Sequence, residues 1–252
     1  MQRINLTAIS LIKLITFSCI IQIRNRVIVA LVLMAMISAG FQVRAQPASS
    51  TTGKPKTVLL INAHLTYPGM SAGTLNKSFV DVAKSFFTSQ AYRILETKIE
   101  AGYNAEEEVE KHLQADIVIL QTLVNWISTP WIYKKYVDDV FTSALKRQKL
   151  LSGDGRIAGD PTKQYGTGGK MQGRLFMICA TWNAAEKDFN DPSQYLYQGK
   201  GPADVFYNVT TNYRFSGYDI LPGYNCFDIF HNTHIKQDLD NYPAHLTKVL
   251  GL

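Results

Sequence analysis

Lys56-Thr57-Val58-Leu59-Leu60-Ile61-Asn62, joined by a short loop to Ser71-Ala72-Gly73-Thr74-Leu75-Asn76, is the stretch whose reading decides the fold. The apolar run reads as a strand buried on both faces. Residues 71–76 open a helix whose apolar positions Leu75, Phe79, Val82, Ala83 and Phe86 fall on one stripe. A strand, a loop and a helix start in this order put hydroxyls and free backbone amides where a phosphate can sit. The loop is nearly free of charge, no Lys follows a second glycine, and G-x-G-x-x-G is missing, so neither the Walker nor the Rossmann pattern applies.

Outward from this stretch, strand and helix signals alternate. Residues 93–97, 116–121, 174–181 and 219–226 read as strands, the last weakened by Pro222 and Gly223. Helices are expected at 104–113, from Thr129 and Pro130 onward, at 204–215 and at 238–250. Tyr133, Tyr136, Val137, Val140, Phe141 and Ala144 supply the buried stripe of the second of these. Five strands alternating with helices predict an α/β domain with a doubly wound parallel sheet, whose ligands bind at the carboxyl ends of strands one and three. Residues 150–172 are rich in glycine and poor in periodicity, and read as a long ordered or lid-like loop of the kind that carries function.

Of the net charge of +6, five units belong to the first 45 residues. Arg3, Lys13, Arg24, Arg26 and Arg44 lie there, every Asp and Glu lies beyond, and the remainder sets 21 basic against 20 acidic residues. That near-neutral remainder has no nucleic-acid footprint. Arg24 and Arg26, the apolar run 27–37, and Val43-Arg44-Ala45 before Gln46 are laid out as an export signal: charged region, apolar core, small-residue cleavage site. The earlier apolar run 6–23 also admits an uncleaved membrane anchor, and a misassigned start codon would leave the protein cytoplasmic. The expected organisation is a leader at 1–45, a polar tether at 46–56 and one domain at 57–252, exported to the periplasm. Cys179 and Cys226, in apolar contexts, are expected to be packed thiols.

Several motifs stand together on this framework: Asn62; the turn 71–76; Pro130-Trp131 leading into Lys134-Lys135-Tyr136-Val137-Asp138-Asp139-Val140-Phe141; Asp154-Gly155-Arg156; Asp160-Pro161-Thr162-Lys163-Gln164-Tyr165-Gly166-Thr167-Gly168-Gly169; and Thr181-Trp182-Asn183-Ala184. In combination they resemble the modulator of drug activity B family of flavodoxin-like NAD(P)H:quinone oxidoreductases, over residues 56–252. The resemblance implies a flavodoxin-like three-layer sandwich with sheet order 2-1-3-4-5. It also implies a homodimer, FAD as cofactor, NADPH as electron donor and a quinone as acceptor. Any membrane contact would come through the leader or a quinone pool.

By the same resemblance, Ser71, Gly73, Thr74, Leu75 and Asn76 hold the FAD phosphates. Thr181, Trp182, Asn183 and Ala184 lie along the flavin ring, and Tyr165 touches FAD. Where the family reads Pro-Gly-Trp-Trp after strand three, this chain has Leu123, Val124, Asn125 and Trp126; Trp126 keeps ring surface for stacking, and Asn125 gives it up. The first loop, with His64-Leu65-Thr66-Tyr67-Pro68, is one residue longer than the family's. Tyr165 and Tyr197, by their loop positions, are the candidate catalytic hydroxyls for a developing quinol oxygen. A different class stays open beside the enzyme: a non-catalytic, exported flavodoxin-like binding domain.

Other clusters carry plainer readings. His231 and His234 are spaced i, i+3 without a third ligand and read as surface histidines, so no metal site is expected. Lys134 and Lys135 with Asp138 and Asp139 make a solvated helix face, and Asp154, Arg156 and Asp160 a loop-pinning set. The absence of G-x-S-x-G disfavours hydrolysis.

Overall fold

The computed structural model describes residues 55–252; the expected leader and most of the tether lie outside the described residues. Strands β1 (Thr57–Asn62), β2 (Arg93–Lys98), β3 (Ile117–Leu123), β4 (Leu175–Thr181) and β5 (Asp219–Ile220) form a parallel sheet in the order β2-β1-β3-β4-β5. The strand period of two divides the sheet into two faces. Val58, Leu60, Ile117, Ile119, Met177 and Cys179 pack beneath helices α1 (Thr74–Ser89) and α6 (Ile235–Leu250). Leu59, Ile61, Val118, Leu120, Phe176 and Ile178 pack beneath α2 (Ala105–Gln114), α3 (Trp131–Lys146) and α5 (Tyr207–Phe215), the last preceded by the short α4 (Pro202–Val205). This is the expected three-layer sandwich. None of the described helices is long and apolar enough to cross a membrane.

The departures from expectation have local causes. The fifth strand is broken: β4 pairs first with β5 and then with a separate strand, β6 (Tyr224–Cys226), and Leu221-Pro222-Gly223 arch between them. Pro222 has no N–H to give the ladder. A Cβ at Gly223 would lie 2.9 Å from the Ile178 carbonyl oxygen, so the chain passes there as glycine. The helix expected at 204–215 breaks at Phe206, which turns into the core. In α1, Leu75 and Val82 are only partly buried, and Val80 and Phe87 join Phe79, Ala83 and Phe86 inside.

The loop 150–172 is the ordered one of the two forms expected, held by its own contacts while much of its surface stays exposed. Leu151 bridges Gly169, and a Cβ at Gly155 would come within 2.3 Å of the Gly168 nitrogen, so two backbone segments touch directly. Arg156 grips Asp154 through Nε at 3.0 Å, and the Asp160 carboxylate accepts from Thr162. The two cysteines are buried and free, and burial raises both thiols, Cys226 to about 12.

Candidate functional site

The carboxyl ends of β1, β3 and β4 open into a cavity of about 400 Å³. The sequence that ends β1 also builds its floor. Asn62 Oδ1 accepts from the His64 backbone N–H at 3.0 Å and from Asn76 Nδ2 at 2.7 Å, and Asn76 Oδ1 accepts from Gln121 Nε2 at 3.0 Å. A chain of side-chain amides therefore ties β1, the first turn of α1 and β3 together beneath the opening. Gln121 Oε1 is buried without a hydrogen-bond partner, so the network ties the elements together while leaving one acceptor unsatisfied.

Above this floor, α1 begins without an internal cap. Its N-cap is Gly73, in a left-handed conformation (φ 79°), with no side-chain cap and no acidic residue in the first turn. The N–H groups of Thr74, Leu75 and Asn76 have no partner among the described residues, so Ser71 and Thr74 are not spent as ordinary caps. Directly under the turn lies His64, 3 % exposed, whose Nε2 stands 3.0 Å from Ser71 Oγ. A Cβ at Gly73 would meet its ring at 2.7 Å, so the glycine is needed both for φ and for the closeness of the imidazole. Burial lowers the His64 pKa; Glu100, with Oε2 at 3.8 Å from Nδ1, opposes that shift and Lys98 adds to it.

Ten of the predicted residues meet around this one cavity: Ser71, Gly73, Thr74, Leu75, Asn76, Leu123, Val124, Asn125, Thr181 and Asn183. The others lie elsewhere. Trp182 is fully buried among Phe189, Phe206 and Phe227, its indole N–H donated to Asn225 Oδ1 at 2.9 Å, so it is core rather than a ring wall. Ala184 packs against the same core. Trp126, next to the cavity in the chain, is 94 % exposed on a turn. Tyr165 is 68 % exposed, resting on Phe215 with the Arg156 guanidinium over its ring, and Tyr197 stacks on Phe189. Neither hydroxyl is brought to the cavity of its own chain.

Besides Met70 and Ala72, which adjoin the predicted turn residues, five further lining residues were not anticipated: His64, Tyr67, Ile229, Phe230 and Ile235. His64 and Tyr67 belong to the lengthened first loop, and a histidine two residues past a strand end was the available signal. The other three come from the segment leading into α6, which no motif marked. They supply, with Leu123, Val124 and Met70, an apolar wall opposite the polar floor. The donor set fits an anionic phosphate at the α1 turn, and the apolar wall fits a flat ring system beside it.

Comparison with known proteins agrees with this geometry. Residues 56–250 match the family model Flavodoxin_2, described as a flavodoxin-like fold. A protein of Haemophilus influenzae named NADPH:quinone oxidoreductase MdaB is 37 % identical over 194 residues, 77 % of this chain and 99 % of that one. A crystal structure described as a putative quinone reductase from Klebsiella pneumoniae shares the fold at a TM-score of 0.59 and 18 % identity, over 78 % of this chain and 84 % of the other. So does general stress protein 14 from Treponema denticola, solved in complex with FMN, at a TM-score of 0.54 and 16 % identity, over 77 % of this chain and 99 % of the other. A family match over most of its length, together with a relative aligned almost end to end, establishes that this chain belongs to the flavodoxin-like fold family, among the relatives of MdaB.

Proposed function

We propose that this protein is a flavin-dependent NAD(P)H:quinone oxidoreductase that binds FAD at the α1 turn and catalyses two-electron reduction of a quinone. The observation that carries this reading is the uncapped, acid-free start of α1, with the Ser71 and Thr74 hydroxyls beside it, at the lip of an apolar-walled cavity. The end-to-end likeness to a relative named as an NADPH:quinone oxidoreductase supports it.

The chain's own residues supply placement. First-turn amides and hydroxyls take the phosphate; Leu123, Val124, Ile229 and Phe230 exclude water from the ring; Asn125 and Asn183 offer amides to its polar edge. Bound there, the flavin supplies the hydride chemistry that no side chain here provides. A homodimer is part of the proposal: Trp126 and Trp131 are large apolar surfaces left exposed on a single chain, and a second copy would cover them.

The test is a visible spectrum of the purified protein with FAD, before and after anaerobic NADPH, followed by a quinone. A yellow protein that NADPH bleaches and the quinone restores is the expected result. A colourless protein whose melting temperature neither FAD nor FMN raises would point to the non-catalytic binding domain.

A further inference from the structure

Tyr67 stands where the lengthened first loop meets the turn after β3. Its backbone is tied to the phosphate turn at both polar atoms: Tyr67 N–H donates to Ser71 O at 3.0 Å, and Ser71 N–H donates to Tyr67 O at 2.8 Å. Its side chain lines the cavity, and its hydroxyl oxygen accepts a hydrogen bond from Asn125 Nδ2 at 2.8 Å. The tyrosine is therefore held from two directions, by the β1–α1 loop and by the β3 exit.

Asn125 is held as firmly. Asn125 N–H donates to Ser128 O at 2.7 Å and Ser128 N–H to Asn125 O at 3.2 Å, closing a tight turn through Trp126 and Ile127. Both central residues have positive φ, 49° and 62°, a conformation that glycine or asparagine takes without strain and a β-branched isoleucine does not. Strain of this kind, of order 1 kcal/mol or more per residue, persists only where the surroundings impose it, and it gathers at ligand sites.

The hydrogen-bond roles then settle which proton is free. An amide nitrogen can only donate, so the Tyr67 oxygen is the acceptor of that bond and its own O–H is left to point elsewhere. No acceptor for it is found among the described residues. The phenol lines the cavity together with Met70, Ile229 and Phe230. A quinone stacked over a flavin seated on that apolar wall would bring a carbonyl oxygen to the free proton.

We infer that Tyr67 is the acceptor-binding residue, donating a hydrogen bond to a ring carbonyl oxygen of the quinone, and that Asn125 positions it. This rests on the function proposed above and names a residue for it. In the overall reaction, quinone, NADPH and one proton give quinol and NADP+. Tyr67 keeps its own proton throughout and shares it with the oxygen on which negative charge grows, so the bond strengthens as reduction proceeds. The aromatic surface that Asn125 gives up after β3 is returned from the other side of the cavity by Tyr67.

The test separates the two half-reactions on the FAD-loaded full chain. Tyr67→Phe should be bleached by NADPH as fast as the unaltered protein. It should be reoxidised by benzoquinone about tenfold more slowly, and by ferricyanide, which offers no carbonyl, at the unaltered rate. Asn125→Asp, whose carboxylate would take the phenol proton for itself, should slow the benzoquinone step by more than it slows the ferricyanide step. Hydroquinone binding to the oxidised protein, read as a shift of the flavin spectrum, should weaken about tenfold in both variants. Equal benzoquinone rates in Tyr67→Phe, or equal slowing with ferricyanide, would overturn the role of Tyr67. If the unaltered protein is not bleached by NADPH, the function proposed above fails before any quinone is added, and the inference falls with it.

Discussion

Two histidines of this domain are almost equally buried, and only one of them belongs to a site. His112, on α2, is sealed in the layer between α2, α3 and the sheet, 0 % exposed. Tyr136 donates its hydroxyl proton to Glu108 Oε2 at 2.9 Å, so His112 Nε2–H must donate to the Tyr136 oxygen at 3.1 Å. Nδ1 then accepts from the Tyr218 hydroxyl at 3.1 Å. Every partner is internal. His64 has one ring nitrogen on Ser71, a residue that faces the cavity, and the other toward Glu100. Burial drives His112 down to about 3. A perturbed pKa is a common mark of function, yet here the strongest shift lies in the core, and what distinguishes the site is a polar path that ends in open space.

The largest expected effect breaks the sealed cluster. His112→Phe leaves the Tyr218 hydroxyl without its partner and removes a donor from Tyr136, and should cost about 2–3 kcal/mol in urea unfolding at neutral pH. The folded variant should still bind FAD as tightly as the unaltered protein. Acid adds a sign. The neutral ring is favoured in the fold, so its contribution is complete above the unfolded value of 6.5 and is lost as pH falls toward about 3. That loss runs at about 1.4 kcal/mol per pH unit. The phenylalanine variant lacks it, so the two stability curves should converge as the solution is acidified. A gap that stays constant with pH would mean that His112 takes up its proton in the fold as readily as in the unfolded chain.

Next in size is Gly73→Ala, which acts on the open cluster. A left-handed φ costs an L-residue about 1–2 kcal/mol, and the added methyl would press on the His64 ring at 2.7 Å. Gly69→Ala is the control, because it has nearly the same φ, 75°, and nothing within 4 Å of the new Cβ. Both should lose comparable stability to the backbone. Only Gly73→Ala should also weaken FAD, by about tenfold, read by fluorescence titration. Equal affinities in the two variants would separate the imidazole from the phosphate turn.

The sheet was legible because β1, β3 and β4 are buried on both faces and announce themselves as unbroken apolar runs. The exception was the edge, where Pro222 and Gly223 split one strand into two that share a partner. At the site, the turn 71–76 could be read from the order of strand, loop and helix start, since the phosphate binding proposed there would depend on backbone amides more than on side chains. The tryptophans misled for a physical reason. A sequence motif reports that an indole is near a strand end, but Trp182 points into the core and Trp126 out to solvent, and that choice is made by packing at the ends of β4 and β3. Ile229, Phe230 and Ile235 could not be found because their segment touches the cavity only through the fold.

The smallest effect separates a binding histidine from one that merely fills space. His64 is held toward its neutral form by burial and by Lys98, against the pull of Glu100. A phosphate on the α1 turn would add a second negative group beside the ring and raise its pKa in the complex. The complex would then hold more protons than the free protein in the interval between the two His64 pKa values, and FAD affinity should rise as pH falls through it, by less than about tenfold per unit. His64→Gln keeps a donor for Ser71 and should give a flat profile. Riboflavin, which lacks the phosphate, should be flat with either protein, because nothing would then reach the ring with charge. If riboflavin affinity follows pH in the unaltered protein as FAD affinity does, the coupling runs through the flavin ring, and His64 belongs to the wall of the cavity instead of the phosphate turn.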